Sequence, residues 1–315
     1  MTFAFLFPGQ GSQSVGMMNA FSEAAVVKDT FQEASSIMQK DMWQLARSGT
    51  QDQLAITTNT QPLMLISDVA MYRAWIELGG QSPAMLAGHS LGEYAALVIA
   101  DALKFSDAVS LVQQRSTLMQ NAVPSGVGAM AAVLGLSDED IKVACQRAEQ
   151  KNGGVAEAAN YNAPGQVVIA GDKDTVEKAI DEAKTLGAKR AMLLAMATPS
   201  HCSLIKPAAD LFVSALNKAP INMPKIPVIH NQNVLPSATA EEIRDNLYQQ
   251  LFSPVRWVET IRHITATGIN YGLECGPGKV IAGLNKRIDK EFHMLSLSSP
   301  EEMEMAINQL SRSNG

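Results

Sequence analysis

Short apolar runs alternate along the chain with longer stretches whose apolar residues recur every three or four positions. The runs Thr2–Phe7, Ala84–Ala87, Ile226–Ile229 and Tyr271–Glu274 predict buried strands, and the spacing predicts helices over about 61–79, 91–101 and 106–121. Pro62 is expected at the first helical position after Thr60, with Gly79-Gly80 closing that helix. Strands that alternate with helices predict an α/β fold with a mostly parallel sheet, covered on both faces.

The middle of the chain has a different pattern. Ala129–Leu134 reads as a strand, and Ser137-Asp138-Glu139-Asp140 opens a helix with acidic residues suited to its positive end. Ala156–Tyr161 and Gln166–Ala170 read as strands joined by a turn at Asn162-Ala163-Pro164-Gly165. A helix from about Asp174 to Leu186 and a strand over Arg190–Ala195 complete the series. The order β-α-β-β-α-β is that of a ferredoxin-like unit. The expected division is a large α/β domain, residues 1–123 and 198–315, interrupted by a small ferredoxin-like subdomain, residues 124–197. The Ser/Asn/Gly end, 311–315, reads as frayed.

Composition narrows the function classes. The chain has 315 residues, of which 46% are hydrophobic and 18% charged, so it can bury a large core without staples. A net charge of -6 argues against a general nucleic-acid binder. Cys145, Cys202 and Cys275 are far apart and odd in number, which gives no disulfide framework or zinc spacing and fits a reducing cytoplasm. The run Phe3–Phe7 is too short for a signal segment, and Ala95–Ala100 is too short to span a membrane.

The sharpest chemical signal is Gly88-His89-Ser90-Leu91-Gly92, placed between a predicted strand and a predicted helix. A tight strand-to-helix elbow would expose the Ser90 hydroxyl, and the following helix would aim its first amides at an oxyanion. The plainer alternative is a turn serine that caps a helix. Ser90 would need a base. Among five histidines, His89 sits on the elbow and is expected to point elsewhere. His230 ends a strand, His263 lies in a helical pattern and His293 in a late strand-like run. His201, in Pro199-Ser200-His201-Cys202, falls at the junction of the two predicted parts, where clefts form. Spacing alone leaves each of them readable as a surface or hydrogen-bonded core residue.

Arg115 lies four residues after Leu111 and three before Leu118, on the apolar stripe of its helix. A guanidinium there needs an anion or water. A buried carboxylate, snorkelling from the stripe edge, or a carboxylate-bearing substrate would each satisfy it. Two glycine strings are decoys. Gly126–Ala131 precedes a strand rather than following one, and Gly9–Ser14 lacks the third glycine of a dinucleotide loop. No metal site is expected.

These pieces resemble malonyl-CoA:acyl carrier protein transacylases over essentially the whole chain. The resemblance is carried by Phe7-Pro8-Gly9-Gln10-Gly11-Ser12-Gln13, Gly88-His89-Ser90-Leu91-Gly92-Glu93, Gln114-Arg115 and Asn162-Ala163-Pro164-Gly165-Gln166, in the family's order. It continues through Pro199-Ser200-His201-Cys202, Gln250-Leu251-Phe252-Ser253-Pro254-Val255 and Gly276-Pro277-Gly278-Lys279. It implies a hydrolase-like α/β domain with a ferredoxin-like insertion. It implies Ser90 as nucleophile, His201 as base and Arg115 as receptor of the malonyl carboxylate. The main-chain amides of Gln10 and Leu91 would form the oxyanion hole, the main-chain carbonyl of Gln250 would orient His201, and Asn162 would lie near the acyl pocket. The implied partners are malonyl-CoA and acyl carrier protein with its phosphopantetheine arm, with no nucleic acid, membrane or separate cofactor. Ala197-Thr198, before Pro199, carries no readable pattern for acyl selectivity. Lys279, Lys286, Arg287 and Lys290, with Lys189-Arg190, are candidates for docking an acidic carrier.

Two rival readings fit the same residues. A serine hydrolase would want an acid between Ser90 and His201, and Asp172, Asp174 and Asp181 fall there. A non-catalytic docking scaffold would have no use for Ser90, His201 and Arg115 together.

Overall fold

The structure is a computed structural model that describes residues 2–124, 126–195 and 198–312. Met196 and Ala197, at the expected boundary, and 313–315, at the expected frayed end, lie outside the described residues.

Five strands form a wholly parallel sheet: β1 (Ala4–Phe7), β2 (Met85–Gly88), β7 (Val228–Ile229), β8 (Tyr271–Glu274) and β9 (His293–Ser296). Their order is β7-β2-β1-β8-β9. β1 is central and buried on both faces. Phe3, Phe5 and Phe7 pack with Trp75 on one side, while Ala4 and Leu6 pack with Ala87, Ile229 and Trp257 on the other. A period of two in a strand explains this division of one short segment between two cores. The chain leaves β1 for β2 on one side and β8 lies on the other, so a crevice opens beyond the carboxyl ends of these strands.

The second sheet is antiparallel, in the order β4-β5-β3-β6, from β3 (Gly128–Leu134), β4 (Ala156–Ala163), β5 (Gln166–Asp172) and β6 (Arg190–Leu193). One face is covered by the helices Asp138–Asn152 and Lys173–Thr185 through Val133, Ile169, Ile141 and Val176. The other face carries Met130, Val168 and Ala170 against Cys202. A parallel bridge from Asn160 to Val255 ties β4 to the segment after Gln250. The second sheet thereby forms a wall of the crevice.

Two local expectations are corrected. The helix expected from residue 61 begins at Thr57 and runs to Glu77, so Pro62 lies inside it. Ile56 is the residue before the first turn, and the Thr60 hydroxyl, bonded to the carbonyl of Ile56, extends the helix upstream of the proline. β4 continues through Ala163, so the hairpin turn shrinks to Pro164-Gly165, with Gly165 at φ 69°. No helix among the described residues is long and apolar enough to cross a membrane.

Candidate active site

Ser90 sits between β2 and the helix Gly92–Ile99, at φ 51°, a left-handed conformation uncommon for a serine. The elbow that holds it requires glycine on both sides. A Cβ on Gly88 would lie 1.9 Å from the carbonyl carbon of Gly92, and one on Gly92 would lie 2.2 Å from the carbonyl oxygen of Phe7. His89 N–H donates to that same Phe7 carbonyl at 2.9 Å, which draws the loop after β1 against the elbow. Asn231, just after β7, clamps the elbow from behind. Its Oδ1 accepts from Ser90 N–H at 2.7 Å and its Nδ2 donates to the Gly88 carbonyl at 2.6 Å.

The structure brings His201 to Ser90. Ser90 Oγ lies 2.7 Å from His201 Nε2, and His201 Nδ1 lies 2.7 Å from the main-chain oxygen of Gln250. A carbonyl can only accept, so Nδ1 carries the proton and Nε2 offers its lone pair to the serine hydroxyl. Burial first, and then the Arg115 charge, push the His201 pKa down to about 3, so the imidazole is neutral at physiological pH. Among the described residues, no carboxylate bonds to His201. Asp172, one of the acids open to a hydrolase reading, instead accepts from Val155 N–H at 2.7 Å.

Arg115 is 1% exposed. Its Nη1 donates to Gln61 Oε1 at 2.7 Å, and its Nη2 donates to Gln250 Oε1 at 3.0 Å and lies 3.4 Å from Ser90 Oγ. Its Nε has no partner, and no carboxylate forms an ion pair with it among the described residues. Glu93 acts on Arg115 only at a remove, through the Gln250 side chain, which accepts from Arg115 and donates to Glu93 Oε2 at 2.8 Å. Two neutral amide oxygens therefore hold a buried cation whose charge is not neutralised by direct contact. This excludes the structural carboxylate and the snorkelling arginine.

Ser90, His201 and Arg115 line one cavity of about 310 Å³ with Gln10, Leu91 and Asn162. The main-chain N–H groups of Gln10 and Leu91 have no partner among the described residues, which leaves two free donors on residues that line the cavity with Ser90. Gln250 holds His201 through its carbonyl and Arg115 through its side chain. Asn162 Oδ1 lies 2.7 Å from His89 Nε2. His89 contacts Asn162 rather than the Ser90 hydroxyl, and its half-buried ring forms part of the same cavity wall, with its pKa lowered by desolvation. Met130, Val168 and Leu194 add an apolar side from the second sheet.

Residues 4–293 match the acyl transferase domain family. The malonyl CoA-acyl carrier protein transacylase of Escherichia coli K12 is 47% identical over 97% of this chain and 98% of its own. That of Bacillus subtilis 168 is 40% identical over 99% and 98%. The chain belongs to the malonyl-CoA:acyl carrier protein transacylase family. A solved family structure from Coxiella burnetii superposes with a TM-score of 0.96 at 47% identity, covering 98% of each chain. A malonyl-transacylase in complex with its type II PKS acyl-carrier protein superposes at 0.96 with 44% identity, over 98% of this chain and 100% of that one.

Four polar residues of the site were not singled out from the sequence for their part in it: Gln61, Glu93, Asn231 and the cavity-lining role of His89. Gln61 and Glu93 left a trace, as polar residues embedded in helices that are otherwise buried and apolar. Asn231 left none, because a polar residue after a strand is the ordinary composition of a loop.

Proposed function

We propose that this chain transfers a malonyl group from malonyl-CoA to the phosphopantetheine thiol of acyl carrier protein, supplying malonyl-ACP for fatty acid chain elongation. His201 Nε2 takes the Ser90 proton as Oγ attacks the thioester carbonyl. The oxyanion is held by the N–H groups of Gln10 and Leu91, where one donor is worth about 3 kcal/mol. Collapse expels the coenzyme A thiolate, which takes the proton back from His201 and leaves a malonyl ester on Ser90. The carrier thiol then gives its proton to His201 and attacks the ester, and Ser90 recovers its hydroxyl. One thioester is exchanged for another, so the reaction is close to thermoneutral and reversible. No cofactor is needed beyond the coenzyme A that arrives on the substrate, and the proposed compartment is the cytoplasm.

The observation that carries this reading is the uncompensated guanidinium of Arg115, 3.4 Å from the nucleophile. A simple esterase has no task for it. A dicarboxylic half-thioester does, because its free carboxylate neutralises Arg115 while its carbonyl faces Ser90. The helix Val280–Ile288 lines the cavity through Val280, Ile281 and Leu284, and presents exposed Lys286 and Arg287 near its end, where an acidic carrier would be steered. Mass spectrometry tests the assignment. Mixing with malonyl-CoA should add a malonyl group to Ser90, and carrier protein should remove it. Release of free malonate at a rate indifferent to carrier protein would make the chain a hydrolase instead.

A further inference from the structure

Behind the elbow, a chain of buried polar groups contacts no cavity, yet it bears on each of the three residues above. Glu93 is fully buried in the first turn of the helix that follows Ser90. Its carboxylate gathers three contacts. Oε2 accepts from Gln250 Nε2 at 2.8 Å and from Asn231 N–H at 3.1 Å, and Oε1 lies 2.6 Å from His230 Nδ1. Asn231 and Gln250 in turn hold Ser90 on both sides of its backbone, through its N–H and its carbonyl. Gln250 also holds His201 and Arg115. One carboxylate thus anchors the two residues that set nucleophile, base and receptor.

His230 closes the arrangement from the other end. Its ring is fully buried, and its Nε2 lies 2.8 Å from Ser237 Oγ, which accepts from Asn246 Nδ2 at 3.1 Å. Asn246 is on the helix Ala240–Gln250, whose last residue is the Gln250 that carries His201. The loop between His230 and Ser237 contains Val234 at φ 61°, a left-handed conformation that a β-branched side chain resists. With Ser90 and His201 it accounts for three of the five non-glycine positive-φ residues among those described, and all three lie in the site or its support. Strain of this kind persists only where the surroundings enforce it.

We infer that His230 is a positioning residue for acyl transfer: by donating from Nδ1 to Glu93 while Ser237 holds Nε2, it keeps Glu93 turned toward Gln250 and Asn231. The inference rests on the acyl-transfer reading above. It touches no substrate atom and acts only through Glu93. Removing the donor frees the Glu93 carboxylate to rotate, which loosens the Gln250 side chain and the elbow clamp together.

The test compares His230→Leu with His230→Asn, whose amide nitrogen can stand where Nδ1 stands, and with Ser237→Ala, which leaves the ring in place and removes only the Nε2 contact. Each is measured for kcat and KM with malonyl-CoA and carrier protein, per active site titrated by Ser90 acylation. His230→Leu should lower kcat by about tenfold or more, as small misplacements of reacting groups do, with KM for malonyl-CoA changed less than threefold. His230→Asn should recover most of that rate, and Ser237→Ala should lose less than His230→Leu in the same direction. A merely structural histidine would lower the number of titratable sites and leave kcat per site intact. That result, or His230→Asn as slow as His230→Leu, would overturn the inference. If the unaltered chain itself forms no acyl-serine, the acyl-transfer reading fails, and this inference with it.

Discussion

Replacing Arg115 by Ala separates the proposed carboxylate receptor from the rest of the machinery. The guanidinium is buried, spans Gln61 and Gln250, and has no carboxylate partner among the described residues. In the unliganded variant, two amide oxygens lose a donor, at about 1–3 kcal/mol each, while an unpaired buried cation is removed, so the effects on stability partly offset. In the complex with malonyl-CoA the loss is one-sided, because the substrate carboxylate enters a site that no longer holds its counter-charge. Truncating one member of a buried charge pair costs about 2–5 kcal/mol, which is roughly 30-fold to several thousand-fold in kcat/KM. Acetyl-CoA has no carboxylate to lose and should suffer only from the loosened Gln250. The assay is kcat/KM for malonyl and acetyl transfer to the same carrier protein, expressed as a ratio so that any loss of folded enzyme cancels. The ratio should fall at least about 30-fold. A parallel fall of both, with the ratio unchanged, would refute the carboxylate role.

Further outcomes follow from the same geometry. His201 has a pKa pushed from the ordinary 6.5 down to about 3 by burial and by Arg115, so the pre-steady-state acylation rate should stay flat from pH 7 to about 5; a rate that halves near pH 6.5 would contradict this. The same shift affects stability: above pH 6.5 neither state of His201 binds a proton, while between about 6.5 and 3 the unfolded chain takes one that the folded chain refuses, so stability is lost as pH falls. His201→Gln should therefore lose less stability than the natural sequence between pH 7 and 4 in denaturant titrations. Gly88→Ala sets a methyl 1.9 Å from the Gly92 backbone, where nothing can swing aside, so it should cost about 3 kcal/mol or more and abolish acylation; normal activity would mean that the elbow is not fixed. Charge reversal at Lys286 and Arg287 together should raise KM for carrier protein and leave KM for malonyl-CoA unchanged, and an equal rise in both would remove this helix from the docking surface.

What could be read from the sequence follows the range of the signal. Periodicity is local, so the strands around Ser90 and the β-α-β-β-α-β order were legible, while the start of the helix at Thr57 was hidden by Pro62, which usually marks a first turn. Ser90 announced itself because an elbow needs its glycines within two residues. Arg115 announced only a conflict, a cation on an apolar stripe. Whether protein or substrate answered that charge depends on Gln61 and Gln250, which lie 54 and 135 positions away in the chain. His201 was one of five histidines until the family resemblance picked it out, since no local pattern encodes a contact 111 positions distant. Glu93, Asn231 and Gln250 meet only through the fold, and the clamp they form is the part least written in any one segment.

The central claim is that a single cavity seats a malonyl group with its carbonyl at Ser90 and its far carboxylate on Arg115. A crystal structure of the acyl-enzyme trapped with malonyl-CoA measures this directly. It should show an ester on Ser90 Oγ and the free carboxylate paired with the Arg115 guanidinium. An ester whose carboxylate points to solvent, or an acyl group on any other residue, would contradict it.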